Sequence, residues 1–229
     1  MKQKLKVDLH THTAEDPKDY IDYNAFELID RASEQNFDVL AITNHNAVTY
    51  NKELEKYAEK RDILLVPGIE ATLSKKHVLI INPDSQKTPQ DTTLEDLARM
   101  KNDGNLIIAP HPFFPGFKSL NSELYTYLSI FDAIEFCSCY NHMINLNKKA
   151  MITATDYHKP LIGSSDCHNI WQFGKTYSLV EARKDISSLI EAIKMGKIEV
   201  KTSPLSLAAM CRLAMNFILT DRLKIPLKF

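Results

Sequence analysis

Short apolar runs alternate with helix-like segments along most of this 229-residue chain. The runs are rich in Val, Ile and Leu, as buried strands are. They read KVDLHTH, DVLAIT, ILLVPGIEAT, HVLII, LIIAPHP, AIEFCS, PLIGSSD and TYSLVE. Segments with helical spacing lie between them, at 23–35, 51–60, 93–102, 120–129, 143–155 and 186–195. This order predicts an α/β fold in which helices cover a parallel sheet, either a closed barrel or a doubly wound sheet.

Two features favour the barrel. No glycine-rich phosphate loop follows the first strand, where open nucleotide-binding sheets normally carry one. Histidine and acidic side chains fall at or just after the ends of the predicted strands, and a barrel brings those ends together at one mouth. These residues are His10, His12, His45, Glu70, His111, Asp166 and His168.

The composition argues against several classes of protein. Hydrophobic residues make up 44% of the chain and charged residues 25%, as in an ordinary globular protein. The chain shows neither a secretory signal nor a run of eighteen apolar residues, so no membrane partner is expected. Its four cysteines match no zinc-finger or CxxC spacing, which favours a reducing cytoplasm. The net charge of −1 shows no basic excess, so we expect a small-molecule partner and no nucleic acid.

His10 and His12 are predicted to lie side by side on the first strand. Side chains two residues apart on a strand point the same way, and Asp8 would share that face. A single histidine there would more often be a hydrogen-bonded core residue. Two adjacent buried imidazoles leave nitrogens to satisfy, and a metal ion would satisfy both.

The other candidate ligands also fall near strand ends. Asp166 and His168 repeat the spacing of two, and Glu70 at the end of a buried strand needs a cation beside it. The remaining candidates are His45, His77 and His111, each of which alone is also compatible with a turn or surface role. Together these groups exceed what one tetrahedral ion can use. We therefore predict two or three divalent ions, with zinc, manganese and iron all compatible.

Five motifs in order carry a family resemblance: DLHTH, ITNH, GIEAT, APHP and GSSDCH, between about residues 6 and 180. The set resembles the PHP family, the polymerase and histidinol phosphatase family of metal-dependent phosphoesterases. The resemblance implies a distorted (β/α)7 barrel similar to a TIM barrel, and the length of the chain favours a single domain over residues 1–229. It also implies a phosphomonoesterase that hydrolyses a small phosphorylated metabolite with metal-activated hydroxide at a trinuclear centre. The alternatives are a phosphodiesterase or exonuclease acting on nucleotides or DNA ends, and a metal-binding module without catalysis.

The resemblance also distributes the ligands among three ions. It implies that His10, His12, Glu70 and Asp166 bind the first ion, that Glu70 bridges to a second ion held by His77 and His111, and that His45 and His168 hold the third. An acidic residue completes the third site, often five residues after the second histidine. Here Glu15 and Asp16 fall three and four residues after His12, and we expect Asp16 to serve, with Glu15 as the alternative.

One residue departs from the family pattern. Asn44 stands where family members commonly have an aspartate, which alters the hydrogen bonding expected around the third ion.

Further residues are predicted to take part in catalysis or substrate binding. His168 and His142 are candidates for proton transfer. Lys175 is a candidate contact for the phosphate, ahead of Lys118, and Asn141 is a candidate substrate contact.

The C-terminal segment 203–225 is predicted to form a helix. Ser203 is the expected cap and Pro204 the first helical residue, and the helix is expected to run to about Arg222. Its apolar face is expected to pack against the domain or against a partner subunit in an oligomer.

Overall fold

Nine strands form one sheet in this computed structural model, which describes residues 2–84, 92–116 and 118–217. The strands are β1 (Gln3–Asp8), β2 (Val39–Ile42), β3 (Leu64–Leu73), β4 (Lys76–Ile81), β5 (Leu106–Ala109), β6 (Ala133–Cys137), β7 (Leu161–Ser164), β8 (Thr176–Ala182) and β9 (Ile198–Thr202). The helices are α1 (Ala25–Glu34), α2 (Lys52–Glu59), α3 (Leu94–Met100), α4 (Glu123–Thr126), α5 (Lys148–Asp156), α6 (Ile186–Lys194) and α7 (Leu207–Phe217). In space the strands follow the order β7, β6, β5, β4, β3, β2, β1, β8, β9.

Seven of these strands run in one direction, and β4 and β8 run in the other. The edge strand β7 lies against β8 and the other edge strand, β9. There the Gly163 amide donates to Oγ of Ser178 at 2.8 Å, and the Ser178 hydroxyl donates to the Gly163 carbonyl at 3.0 Å. The sheet is therefore a nearly closed barrel, and the distorted TIM-like barrel predicted from the sequence is confirmed.

Polar side chains fix the start of several helices. Asn24 accepts hydrogen bonds from two amides in the first turn of α1, and its own amide donates to Glu27. Thr93 and Asp96 form the same reciprocal arrangement at α3, and Asp185 accepts from an amide of α6. These contacts satisfy amides that have no partner within the helix.

A hydrophobic cluster fills the interior of the barrel. Its strand members are alternate, inward-facing residues, and α6 contributes apolar residues to the same cluster. Among them are Leu5, Val7, Leu9, Val39, Ala41, Val66, Leu79, Ile81, Leu106, Ile108, Ala133, Ile162 and Leu189. Two further clusters lie between the other face of the sheet and the surrounding helices. The interior is thus a packed core, and the polar residues above it form the mouth.

The first strand is shorter than predicted. It ends at Asp8, so the prediction that His10 and His12 lie on it is wrong. Leu9 faces the interior cluster, so a continued strand would turn both imidazoles away from the interior. Instead, the Asp8 carboxylate accepts hydrogen bonds from the His10 amide at 3.3 Å and the Ser165 amide at 3.1 Å. This local contact competes with regular strand pairing and changes the direction of the chain.

The C-terminal helix begins later than predicted. Oγ of Ser206, and not of Ser203, accepts a hydrogen bond from the first turn, at 3.1 Å from the Ala209 amide. The Ser203 amide donates instead to the Lys175 carbonyl. The predicted end near Arg222 lies outside the described residues. Packing of α7 against a partner subunit stays a prediction.

Three other elements differ from the sequence prediction. β9 was not predicted, because half-buried and exposed residues alternate along it without an apolar run. The helix predicted at 120–129 is the shorter α4, and the helix predicted at 143–155 is the shorter α5. Longer loops therefore follow β5 and β6 at the mouth.

Candidate metal centre

Glu70 lies at the centre of a buried cluster at the mouth of the barrel. The residue is 1% exposed, and imidazoles approach both of its carboxylate oxygens. Oε1 lies 2.7 Å from Nδ1 of His77 and 3.1 Å from Nε2 of His111. Oε2 lies 2.9 Å from Nε2 of His45, 3.4 Å from Nε2 of His12 and 3.6 Å from Nε2 of His10. One carboxylate thus faces two separate groups of imidazoles.

The strands explain how these residues reach the mouth. His45, Glu70 and Asp166 each lie four residues after an inward-facing apolar residue of β2, β3 or β7. Residues at even spacing share a face of a strand, so Glu70, which lies within β3, points inward. His45 and Asp166 lie beyond the ends of β2 and β7. A bridge to Glu70 holds His45, and a hydrogen bond from the Asp166 amide to the His10 carbonyl holds Asp166. His77 is near the start of β4, which runs in the opposite direction, and so it also lies at the mouth. His111 follows β5 with φ at +28°, which is unusual for a residue with a side chain.

Asp166 approaches the first histidine pair from the other side. Its Oδ1 lies 3.3 Å from Nε2 of His10 and 3.4 Å from Nε2 of His12. The structure thus brings together His10, His12, Glu70 and Asp166, the four residues that the resemblance placed around one ion.

Two aspartates stand beside the imidazoles at the outer side of the cluster. Oδ2 of Asp16 lies 3.0 Å from Nδ1 of His12 and 2.9 Å from Nδ1 of His45. Oδ2 of Asp19 lies 3.4 Å from Nδ1 of His45 and 3.3 Å from Nε2 of His168. Asp16 therefore contacts His12, which the resemblance assigned to the first ion, and His45, which it assigned to the third. Asp19 contacts His45 and His168, both assigned to the third ion.

Sequence reasoning missed Asp19 and Glu135. Asp19 lies in an acidic loop that also contains Glu15 and Asp16, and the spacing from His12 favoured Asp16 and Glu15 over it. Glu15 is the one that turns away, because it accepts a hydrogen bond from the Ala25 amide at the start of α1. Glu135 could have been predicted, because a charged residue within the apolar run AIEFC indicates a buried carboxylate that needs a partner. In the structure Glu135 is fully buried.

Burial and opposite charge shift the pKa values of the cluster in different directions. Burial would raise the pKa of Glu70, but the imidazoles around it hold that pKa well below its usual range. Burial would lower the pKa of His45, yet the carboxylates of Glu70 and Asp16 raise it to about 9. For His77 burial prevails and lowers the pKa to about 4, despite the contact with Glu70. Without a metal, these groups therefore compete for protons.

The cluster meets the chemical requirements of a divalent metal site. Nε2 atoms of three buried imidazoles, those of His10, His12 and His77, have no hydrogen-bond partner within the described residues. An unpaired buried nitrogen is costly, and a metal ion would satisfy it. The described residues form five groups of three donors whose ligand atoms lie within 4.8 Å of one another. These are His10, His12 and Glu70; His10, His111 and Asp166; His45, Glu70 and His77; His12, His45 and His168; and Asp16, Asp19 and His45.

Other predicted residues do not join these groups. His142 is exposed in the loop after β6, and Lys175 is exposed just before β8. The Asn141 side chain accepts hydrogen bonds from the amides of Met143 and Ile144 and so orders its own loop. The predicted roles of these residues with substrate stay predictions.

Asn44 fixes two loops beside the centre. Its Oδ1 accepts a hydrogen bond from the Thr13 amide at 2.9 Å. Its Nδ2 donates to Oγ1 of Thr13 at 2.9 Å and to Oγ1 of Thr49 at 2.8 Å. In this chain a neutral amide makes these contacts, where an aspartate would accept hydrogen bonds from the same threonine hydroxyls.

Comparisons with known proteins give a consistent picture. A family model described as PHP-associated matches residues 145–198. The barrel superimposes on a two-domain protein from Bacteroides vulgatus, described as containing a predicted PHP-like metal-dependent phosphoesterase. That match has a TM-score of 0.66 and 20% identity, and it covers 92% of this chain and 69% of the other. The chain thus resembles PHP proteins in part of its sequence and in its fold. An uncharacterized protein of Methanocaldococcus jannaschii is 26% identical to this chain over 157 residues, which cover 60% of this chain and 84% of that protein.

A DNA-acting enzyme has a similar fold. The crystal structure of endonuclease Q with a 27-mer duplex carrying an abasic lesion matches with a TM-score of 0.63 and 16% identity, covering 93% of this chain and 67% of that one. The prediction that nucleic acid is excluded as a partner is therefore wrong. A net charge near zero is a sum over the whole chain, and it does not describe the residues at the mouth. Among the helices that the structure describes, none is long and apolar enough to cross a membrane.

Proposed function

We propose that this chain is a PHP protein and a metal-dependent hydrolase of phosphate esters, with its centre built around Glu70. The observation that carries the proposal is the pair of imidazole groups on the two oxygens of this one buried carboxylate. A carboxylate that faces two donor sets suits a bridge between two ions, since it supplies one oxygen to each.

The distances support a distribution of the donors among three ions. In this distribution His10, His12, Glu70 and Asp166 would hold the first ion, Glu70, His77 and His111 the second, and His45, His168 and an aspartate the third. Asp19 is the aspartate we favour, since it lies beside both His45 and His168. Asp16 then orients His12 and His45, while its Oδ1 accepts hydrogen bonds from the Lys18 and Asp19 amides.

The chemistry follows from the donor set. Divalent ions bound here supply Lewis acidity that activates water near neutral pH and neutralises charge on a phosphoryl group. The protein holds the donors in place and keeps most of the centre buried. His168 and Asp19 are the accessible members, with side chains 32% and 30% exposed. A role for His168 in proton transfer stays a prediction.

The first substrate class we propose is the phosphomonoester of a small metabolite. Glu70, His10 and His12 are at most 1% exposed, so the centre is deep within the mouth. A terminal phosphate on a compact molecule can enter past His168 and Asp19 more easily than a bulky diester can. The fold shared with endonuclease Q supports nucleic acid as a second candidate substrate.

A substrate comparison tests both classes. Protein loaded with Mn²⁺ is assayed with para-nitrophenyl phosphate, with its bis-ester and with a duplex oligonucleotide carrying an abasic site. We expect faster cleavage of the monoester. Faster cleavage of the duplex would favour the nucleic-acid substrate. No turnover of any of the three by fully loaded protein would contradict the proposed activity.

A substitution of Glu70 tests the role of the central carboxylate in turnover, and a substitution distant from the donor set is its control. Glu70→Gln is expected to lower turnover by more than about 100-fold, above the loss typical of residues that only orient a ligand. Ser178→Ala removes buried hydrogen bonds at the barrel seam, away from the donor set, and is expected to keep full turnover.

A further inference from the structure

Glu135 contacts two members of the donor set without joining it. It is fully buried on β6. Its Oε1 lies 2.8 Å from Nδ1 of His10, and its Oε2 accepts a hydrogen bond from the His111 amide at 2.7 Å. One carboxylate thus links His10, a proposed ligand of the first ion, to His111, a proposed ligand of the second.

The contact with His10 fixes which imidazole nitrogen faces the centre. Nε2 of His10 lies 3.6 Å from Glu70 and 3.3 Å from Asp166, and it has no hydrogen-bond partner among the described residues. Nδ1 then carries the hydrogen and donates it to Glu135. A metal-binding histidine commonly donates its other ring N–H to a carboxylate in this way.

The contact with His111 holds an unusual backbone conformation. With φ at +28°, His111 lies in a region that residues with side chains rarely adopt. Its amide is held by Glu135, and its carbonyl accepts a hydrogen bond from the Ser119 hydroxyl at 2.7 Å. This backbone places Nε2 of His111 at 3.1 Å from Glu70.

Both contacts require a carboxylate. Nδ1–H of His10 and the His111 amide are both donors, so the residue between them must accept twice. Glutamate offers two acceptor oxygens, whereas glutamine offers one oxygen and one NH₂ group that can only donate. Glutamine at this position therefore satisfies one contact and opposes the other.

We propose that Glu135 is a positioning residue that holds ligands of the first and second ions through a single carboxylate. Its loss is therefore expected to weaken both ions together. This inference rests on the proposed function, because it requires that the donor set binds divalent ions.

Mn²⁺ titrations of metal-free protein test the inference without an activity assay. Glu135→Gln is expected to weaken the binding of two ions per chain by about 10- to 100-fold each. Asp19→Asn is expected to weaken one ion only, and Ser178→Ala none. A Glu135→Gln titration that matches wild type, or that weakens a single ion, would overturn the inference. If wild-type protein binds no Mn²⁺, the proposed function fails as well, so the two failures are distinguishable.

A measurement on the wild type covers the case in which Glu135→Gln does not fold. Imidazole ¹⁵N–¹H correlation spectra of Zn²⁺-loaded protein report which ring nitrogen of His10 carries a hydrogen. We expect Nδ1 to be protonated. A His10 with its hydrogen on Nε2 would overturn the inference.

Discussion

Some residues of the centre could be predicted from the sequence, because they are polar or charged side chains in otherwise apolar runs. Histidines that follow apolar runs and a glutamate within one stand out, since buried charge needs a partner. Asp19 could not be identified in this way, because only the folding of its loop brings it to His168. The orientation of His10 and His12 was also beyond the sequence pattern, since it depends on the hydrogen bond from the His10 amide to Asp8.

Substitutions in the acidic loop test which carboxylate completes the third site. Asp19→Asn is expected to lower phosphoester turnover by at least about tenfold and to remove one Mn²⁺ ion from the metal count. Glu15→Gln is the control, and we expect turnover near wild type because Glu15 contacts α1. Metal analysis by mass spectrometry and a turnover assay measure both effects. Full metal content in Asp19→Asn, with a loss in Glu15→Gln, would contradict the assignment.

The stability of the metal-free protein is expected to depend on pH through His45. Its pKa is raised from 6.5 to about 9 in the folded protein, so protonation stabilises the fold. This contribution is complete below pH 6.5 and is lost as the pH rises through about 9, an effect on the order of 3 kcal/mol. Asp8 also makes the fold less stable as the pH rises. Burial raises its pKa to about 7, so its ionisation above pH 4 costs the folded protein free energy.

Urea unfolding in the presence of a chelator, at pH values between 6 and 9, measures this dependence. The free energy of unfolding is expected to fall as the pH rises, and His45→Gln is expected to flatten the slope. A free energy that rises with pH, or an unchanged slope in His45→Gln, would contradict the role given to His45.

At the scale of elements, the strands were easier to predict than their ends. The eight apolar runs all became strands, because burial in the sheet requires them to be apolar. The half-exposed edge strand β9 and the start of α7 were missed, since contacts distant in sequence decide both. Closure of the barrel likewise depends on Gly163 and Ser178, whose contact across the seam no local pattern shows.

Gly163→Ala tests the closure of the barrel. A Cβ atom there would lie 2.7 Å from Cγ1 of Val200 and 3.0 Å from the Tyr177 carbonyl oxygen. We expect the free energy of unfolding to fall by about 1–3 kcal/mol in urea titrations. Gly104→Ala is the control, because its Cβ would meet only Oδ1 of Asn102, at 3.3 Å, in an exposed loop. Equal stability of the two variants would show that the seam is not tightly packed.

The cap of α7 gives a second test at this scale. Ser206→Ala is expected to destabilise the first turn by about 1 kcal/mol, since it removes the acceptor for the Ala209 amide. Ser203→Ala keeps the backbone bond to Lys175 and is expected to have little effect. Hydrogen exchange of the α7 amides measures both. Faster exchange in Ser203→Ala than in Ser206→Ala would reverse the assignment of the cap.

For the whole molecule, the alternation of strands and helices was enough to predict the class of fold. The directions of β4 and β8 were not predictable, because periodicity carries no information on strand direction. Net charge was a poor guide to partners, as the fold shared with a DNA-bound endonuclease shows. The single-domain organisation stays a prediction.

Under the proposed function, phosphoester hydrolysis requires divalent ions in the Glu70 cluster. The most direct measurement is turnover of para-nitrophenyl phosphate by the same protein before chelation, after complete removal of metal and after reloading with Mn²⁺, with the metal content counted at each stage. We predict that turnover falls to background when metal is removed and returns on reloading in proportion to the ions bound. Full turnover by metal-free protein would contradict the account.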